Sequence, residues 1–172
     1  MEDEIINKVA ASALEVFDLE DYYPKGQRIE IDIAQWLIEG FLLKEKDFRA
    51  ALKLHDWSQY EGSYVAINCS TDAIVPAWTK ILIALYLNEH ATFSASGTIE
   101  ELDSLLYREI LDKIDFSVYQ DKMVIIKGCA RKPVPVNAYI MSSQHLQQYA
   151  KGIMYGEACS AVPLFKKSKT TI

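Results

Sequence analysis

Apolar positions along the chain switch repeatedly between a period of two and a period near 3.6, and that alternation sets the expected architecture. Residues 2–17 carry Ile5, Val9, Ala13 and Val16 or Phe17 at helical spacing and are expected to form an amphipathic helix. RIEIDI, Arg28 to Ile33, alternates charge with isoleucine and reads as a strand with one wet face. Lys44 to Leu54 returns to the helical period through Phe48, Ala51 and Leu54, stops at His55-Asp56-Trp57, and leads into a turn from Gln59 to Gly62. Tyr64 to Asn68 is an apolar strand ending at Cys69. Pro76 then helps to open a helix to about Asn88, which Ser70, Thr71 and Asp72 are all able to cap, and for Asp72 capping is favoured over reaching the thiols.

The second half repeats this strand, turn and helix form. Ala91 to Ser96 is short and strand-like, and Thr98 with Glu101 has the spacing of a capping box for a helix from Ile99 to about Ile114. Phe116 to Lys127 reads as one or two strands turning at Gln120-Asp121. Pro135 opens a helix to about Ala150, which Gly152 is expected to end, and Ile153 to Ala158 is the last strand. Strands alternating with helices predict an α/β fold: a single domain over residues 1–172, with a mixed, partly parallel sheet flanked by helices. The first strand and the hairpin are expected to add to it in antiparallel sense.

Within that pattern the three cysteines occupy one recurring setting: an apolar run, the cysteine, a short turn, then Val-Pro. The instances are VAINC-STDAI-VP at Cys69, MVIIKGC-ARKP-VP at Cys129 and IMYGEAC-SA-VP at Cys159. Each places a sulfur at the carboxyl end of a strand, the edge at which open α/β sheets bind ligands. Thiolates brought together repel unless a cation holds them or they stay protonated. A shared metal or cluster site is therefore the leading expectation, with Cys69, Cys129 and Cys159 as sulfur ligands, Glu157 as the preferred oxygen ligand or general base, His55 able to complete a tetrahedral site or act as a base, and zinc, iron or an iron–sulfur cluster as the cofactor. The spacing matches no finger, ribbon or ferredoxin pattern, since no two cysteines are close. Two rivals stand beside it. One is a thiol enzyme or sulfur carrier using Cys159 or Cys129, with Glu157 or His55 tuning the thiol. The other is a noncatalytic interaction domain whose cysteines are core, with His55 a helix C-cap and Glu157 a solvent-facing strand residue.

Composition narrows the partners. The chain has 172 residues, 50% hydrophobic and 24% charged, with a net charge of −6, so its field repels nucleic acid and anionic membrane surfaces. Lys166, Lys167 and Lys169 form the one basic cluster and read as a solvated tail. The acidic start lacks the features of a signal peptide and no apolar run is long enough to span a bilayer, so a cytoplasmic location with reduced thiols is expected. Dinucleotide, Walker, HExxH, GxSxG and CxxC motifs are missing from the sequence.

HDWSQYEGSYVAINCSTDAIVPAW, with KGCARKPVPVNAY and IMYGEACSAVPLFKK, resembles a bacterial family of uncharacterised proteins, domain of unknown function 2480, over nearly the whole chain. The one departure is Thr79-Lys80, where the family pattern has Ala-Tyr after the tryptophan. The resemblance implies no activity, but it does imply iron–sulfur cluster assembly proteins as partners.

Overall fold

The computed structural model describes residues 14–128, 131–157 and 159–168. Its contacts divide the chain into two compact units: Lys25–Leu105, and Met1–Pro24 with Leu106–Ile172. The fold is α/β, as expected, with a three-stranded parallel sheet in the continuous unit and a four-stranded mixed sheet in the discontinuous one.

The continuous unit runs β2 (Arg28–Asp32), α1 (Glu45–Leu54), β3 (Tyr64–Asn68), α2 (Ala77–Leu87) and β4 (Phe93–Ser96). Its strands lie in the order β2-β3-β4, with Arg28 opposite Tyr64 and Tyr64 opposite Phe93. The core forms where the inward positions of the sheet, such as Ile31, Val65 and Ile67, meet Phe48 and Leu52 of α1 and Ile83 and Leu87 of α2. The discontinuous unit comprises β1 (Leu14–Asp18), the last turns of α3 (Ile99–Leu111), β5 (Met123–Lys127), α4 (Val136–Tyr149), β6 (Gly152–Tyr155) and β7 (Val162–Lys166). Its order is β1-β5-β6-β7, parallel up to β6 and antiparallel at β7.

The two units are copies of one design. Asp56 matches Asp115, Pro76 matches Pro135 and Gly97 matches Gly156 at one constant offset, with no insertion between them. Burial follows the match: Phe48 and Tyr107, Leu52 and Leu111, Trp57 and Phe116, Val65 and Val124, Ile67 and Ile126, and Leu87 and Leu146 are all buried. Hydrogen bonds follow it too. Gly62 N–H donates to the His90 carbonyl as Asp121 N–H donates to that of Tyr149, and Gly97 to Ile67 as Gly156 to Ile126. The turn before the middle strand needs a left-handed residue, supplied by Gly62 (φ 66°) in one copy and Asp121 (φ 58°) in the other. Aspartate tolerates that conformation better than most residues. The first strands also correspond, β2 ending at Asp32 and β1 at Asp18, and each aspartate accepts the amide two residues on, at 3.0 Å, to open a short 3-10 turn. One copy is thus inserted between the first strand and the first helix of the other.

Several expectations need correction. Residues 2–13 lie outside the described residues, and the rest of the expected first helix, Leu14–Asp18, is a strand paired in parallel with β5. Only Phe17 turns to the core there, while its neighbour Val16 is 50% exposed on the opposite strand face, so the adjacent apolar pair is split by the strand and not gathered on a helical stripe. Phe116–Tyr119 is a 3-10 turn capped by Asp115, not one arm of a hairpin, because it matches the turn after α1. No side chain caps α2, whose flanking residue is Pro76. Gly152 begins β6 and does not end α4, and a Cβ there would meet the Met123 sulfur at 2.8 Å. Lys166 ends β7, an edge strand that tolerates Pro163 because an edge residue can leave its outward side unbonded. The capping box is present, with the Thr98 amide on Glu101 at 2.8 Å.

Because Leu52 and Leu111 fill matched places, Leu52→Ala and Leu111→Ala should each lower stability by about 2–5 kcal/mol. Amide hydrogen exchange under mild denaturant should show the loss in the unit that carries the change. A near-neutral effect at either position contradicts the equivalence.

Candidate functional site

Matched chain positions make the carboxyl edges of the parallel strands in the two sheets directly comparable, and they differ. In the continuous unit short polar side chains at this edge are bonded to one another and to the backbone. Asp32 receives the Ser70 amide at 3.0 Å and the Ser70 hydroxyl at 2.6 Å, besides capping its own turn. Thr71 donates its hydroxyl to the Gly40 carbonyl at 2.6 Å and lies 3.5 Å from the Cys69 sulfur. Desolvation works to raise the Asp32 carboxyl, but the hydroxyl and amide of Ser70 and the amide of Ala34 outweigh it and hold its pKa below the usual carboxylate value.

At the same edge of the discontinuous unit the sequence has Cys129 and Ala130 in place of Ser70 and Thr71, and Lys127 and Arg131 in place of Asn68 and Asp72. A cavity of about 210 Å³ lies there, lined by Asp18, Glu20, Lys127, Gly128, Arg131 and Glu157. Asp18 pairs with the Lys127 ammonium at 3.1 Å. Glu20 accepts the Arg131 amide at 2.7 Å and its Nε at 3.1 Å. That guanidinium is held through Nε while its side chain stays 79% exposed. The Asp18 hydrogen bond, the Asp18 charge and the Glu157 charge raise the Lys127 pKa, so the ammonium is fully charged at neutral pH. Gly128 fits because a Cβ would lie 2.8 Å from the Tyr139 hydroxyl.

The residues expected from sequence to bind metal fall as follows. Cys69 is a half-buried free thiol packed on the core of the continuous unit, and its amide donates to the Asn68 side chain at 2.8 Å. Cys159 is a free thiol, exposed in a turn of the discontinuous unit. Cys129 lies outside the described residues. Glu157 lies beyond the end of β6, which stops at Tyr155, so strand alternation does not place it beside Cys159. His55 does follow α1 as its C-cap, but its ring belongs to an aromatic cluster: Nε2 is 2.9 Å from the Tyr60 hydroxyl, the ring stacks on Tyr60, and Trp36 and Trp57 meet it edge-on.

The three-cysteine metal or cluster centre is therefore overturned: among the described residues no group of three or more His, Cys, Asp or Glu side chains could hold an ion. The repeat explains why the sequence pattern misled. Alignment of the two copies sets Cys69 against Gly128, not Cys129. Val162-Pro163 after Cys159 opens strand β7 and no helix, so the third instance is a likeness of letters only. Sequence reading passed over Lys127, Arg131, Asp18 and Glu20. The available signal was the exchange of a Ser-Thr-Asp turn for a Cys-Ala-Arg turn at matched positions.

Two titrations test these assignments. Ser70→Ala removes the hydroxyl donor and should raise the Asp32 pKa, read by carboxyl NMR; an unchanged titration contradicts the Ser70–Asp32 contact. Burial lowers the His55 pKa, with the Asp56 charge pulling the other way. The unfolded chain therefore takes up that proton first, and stability is complete above the ordinary histidine value of about 6.5 and declines as the pH falls below it. Denaturation from about pH 7.5 to about pH 5.5 should show this slope. His55→Gln should flatten it, and a slope unchanged by that substitution rules out the half-buried neutral ring.

No helix among the described residues is long and apolar enough to cross a membrane. No curated protein and no solved structure shows significant similarity to the chain. A family model does match, over residues 3–167, described as a protein of unknown function (DUF2480), and the chain belongs to that family.

Proposed function

We propose that the carboxyl edge of β1, β5 and β6 binds a small molecule carrying both an acidic and a basic group, of the size of an amino acid. One observation carries the reading: two copies of one fold present the same edge, and where the copy in the continuous unit ties Ser70 to Asp32 and Thr71 to the backbone, the other carries a charged cavity. Its volume of about 210 Å³ lies below the roughly 300–1,000 Å³ of sites for drug-sized ligands. Parallel strands aim their carboxyl ends, and the loops that follow, at this edge.

The charges define the ligand. Arg131 is anchored through Nε, which leaves its terminal amino groups to accept a carboxylate or phosphate, and Lys127 adds a second cation. Exposed Glu157 supplies the countercharge for an amine. Because Asp18 and Glu20 already neutralise much of the two cations, a simple anion gains little, whereas a zwitterion meets both signs at once.

NMR titration with a panel of amino acids, simple carboxylates and simple amines tests this. Zwitterions should shift the Gly128 and Arg131 amides and leave Cys69 and Ser70 in place. Arg131→Asp installs the residue that the other copy carries at the matched position and should weaken binding about tenfold or more. Asp72→Arg should not change it. A panel that leaves the Gly128 edge unmoved, or moves both edges alike, defeats the proposal.

A further inference from the structure

Helix α2 is apolar almost all round, AWTKILIALYL, a composition that belongs to a helix covered on every side. Its inner face is buried through Thr79, Ile83 and Leu87, yet Ile81 is 60% and Leu85 65% exposed. Trp78, Leu82, Leu85 and Glu89 follow one another at spacings of four and three, the seam by which one helix packs along another. The matched positions of α4 are Asn137, Met141, Gln144 and Gln148. Three of these four are polar, and Gln144 stands where Leu85 is exposed, so the fold itself does not require a leucine at the centre of this face. An exposed apolar surface of this kind marks an interface.

The ends of the seam say what covers it. At its start the Arg49 guanidinium lies over the Trp78 ring, 5.1 Å from the centroid, with its Nε on Glu45 at 2.8 Å in an exposed pair that holds weakly enough for a second carboxylate to share the guanidinium. At its end Glu89, with Glu61 paired to His90, makes the surface acidic. Between Glu89 and Leu82 a cavity of about 370 Å³ opens over Trp57 and Tyr86, whose rings stack at 5.0 Å. A seam with a guanidinium at one end and carboxylates at the other is complementary to itself when turned end for end, which is what a two-fold contact requires.

We infer that α2 pairs antiparallel with α2 of a second copy of this chain. Leu85 sits near the two-fold axis, facing the aromatic cavity of the other copy, and Glu89 of each chain meets Arg49 of the other. The end charges matter because each chain carries a net charge of −6, so two copies repel at long range and need a local attraction to dock. A parallel arrangement would set like charges together and is excluded on that ground.

Sedimentation velocity of the full chain over a range of concentrations reads the association. The wild type should reach a dimer, and Leu85→Gln, which copies α4, should raise the dimer Kd about tenfold or more with the circular dichroism spectrum unchanged. Glu89→Arg and Arg49→Glu should each weaken self-association, whereas an equimolar mixture of the two variants should form a heterodimer as tightly as the wild type pairs. Restoration by mixing separates the contact from a fold defect, since neither chain regains its own residue. A chain that stays monomeric at every concentration overturns the inference, as does a dimer indifferent to Leu85→Gln or a mixture that remains dissociated.

Discussion

An aspartate whose carboxylate accepts the amide two residues ahead recurs at Asp18, Asp32, Asp56 and Asp115, each time at 3.0 Å. Aspartate offers the backbone this local alternative to continuing a strand or a helix, and it does so cheaply because the group stays near solvent. Each instance opens a 3-10 turn, at the close of a first strand or just before a middle one. Both ends of the first crossover in each copy are thereby pinned, which lets the strands meet in the same register, Asp32 opposite Asn68 and Asp18 opposite Lys127. What differs between the copies is what else the first-strand carboxylate holds. Asp32 gathers in Ser70, whereas Asp18 holds the Lys127 ammonium at the mouth of a cavity.

Much of the continuous unit was legible in the sequence. β3 and α1 lie where periodicity put them, since an all-apolar strand and a helix with a single apolar stripe leave little ambiguity. Leu14–Asp18 was misread because five residues with one inward side chain carry too little pattern to tell a strand from the end of a helix, and the parallel partner that decides the matter lies far along the chain. The Phe116–Tyr119 turn looked like strand because its aromatic residues are apolar for a tertiary reason, packing around Phe17.

The site failed on register. Anchoring the comparison on cysteine shifts the two true copies by one residue, and a shift of one moves a side chain to the other face of a strand. Anchored instead on the Asp-aromatic-Ser pair and Val-Pro, the copies fall into line and the chemically meaningful differences become the exchanged turn residues. Those differences also divide the labour: the discontinuous copy diverges at its strand edge, the continuous copy on the outer face of its second helix.

Insertion of one copy into the other has a consequence for the emerging chain. Strand β1 leaves the ribosome long before β5, its one neighbour in the sheet among the described residues, and every residue of the inserted unit must be made in between. The strands of the inserted unit pair with one another and its core residues come from its own elements, so it can complete its core during synthesis, whereas β1 waits for its partner until β5 has been made. Folding order is therefore written into the connectivity, inner copy before outer. The outer copy must bridge the longer separation, which slows its closure and makes it the half that depends most on protection from premature strand pairing.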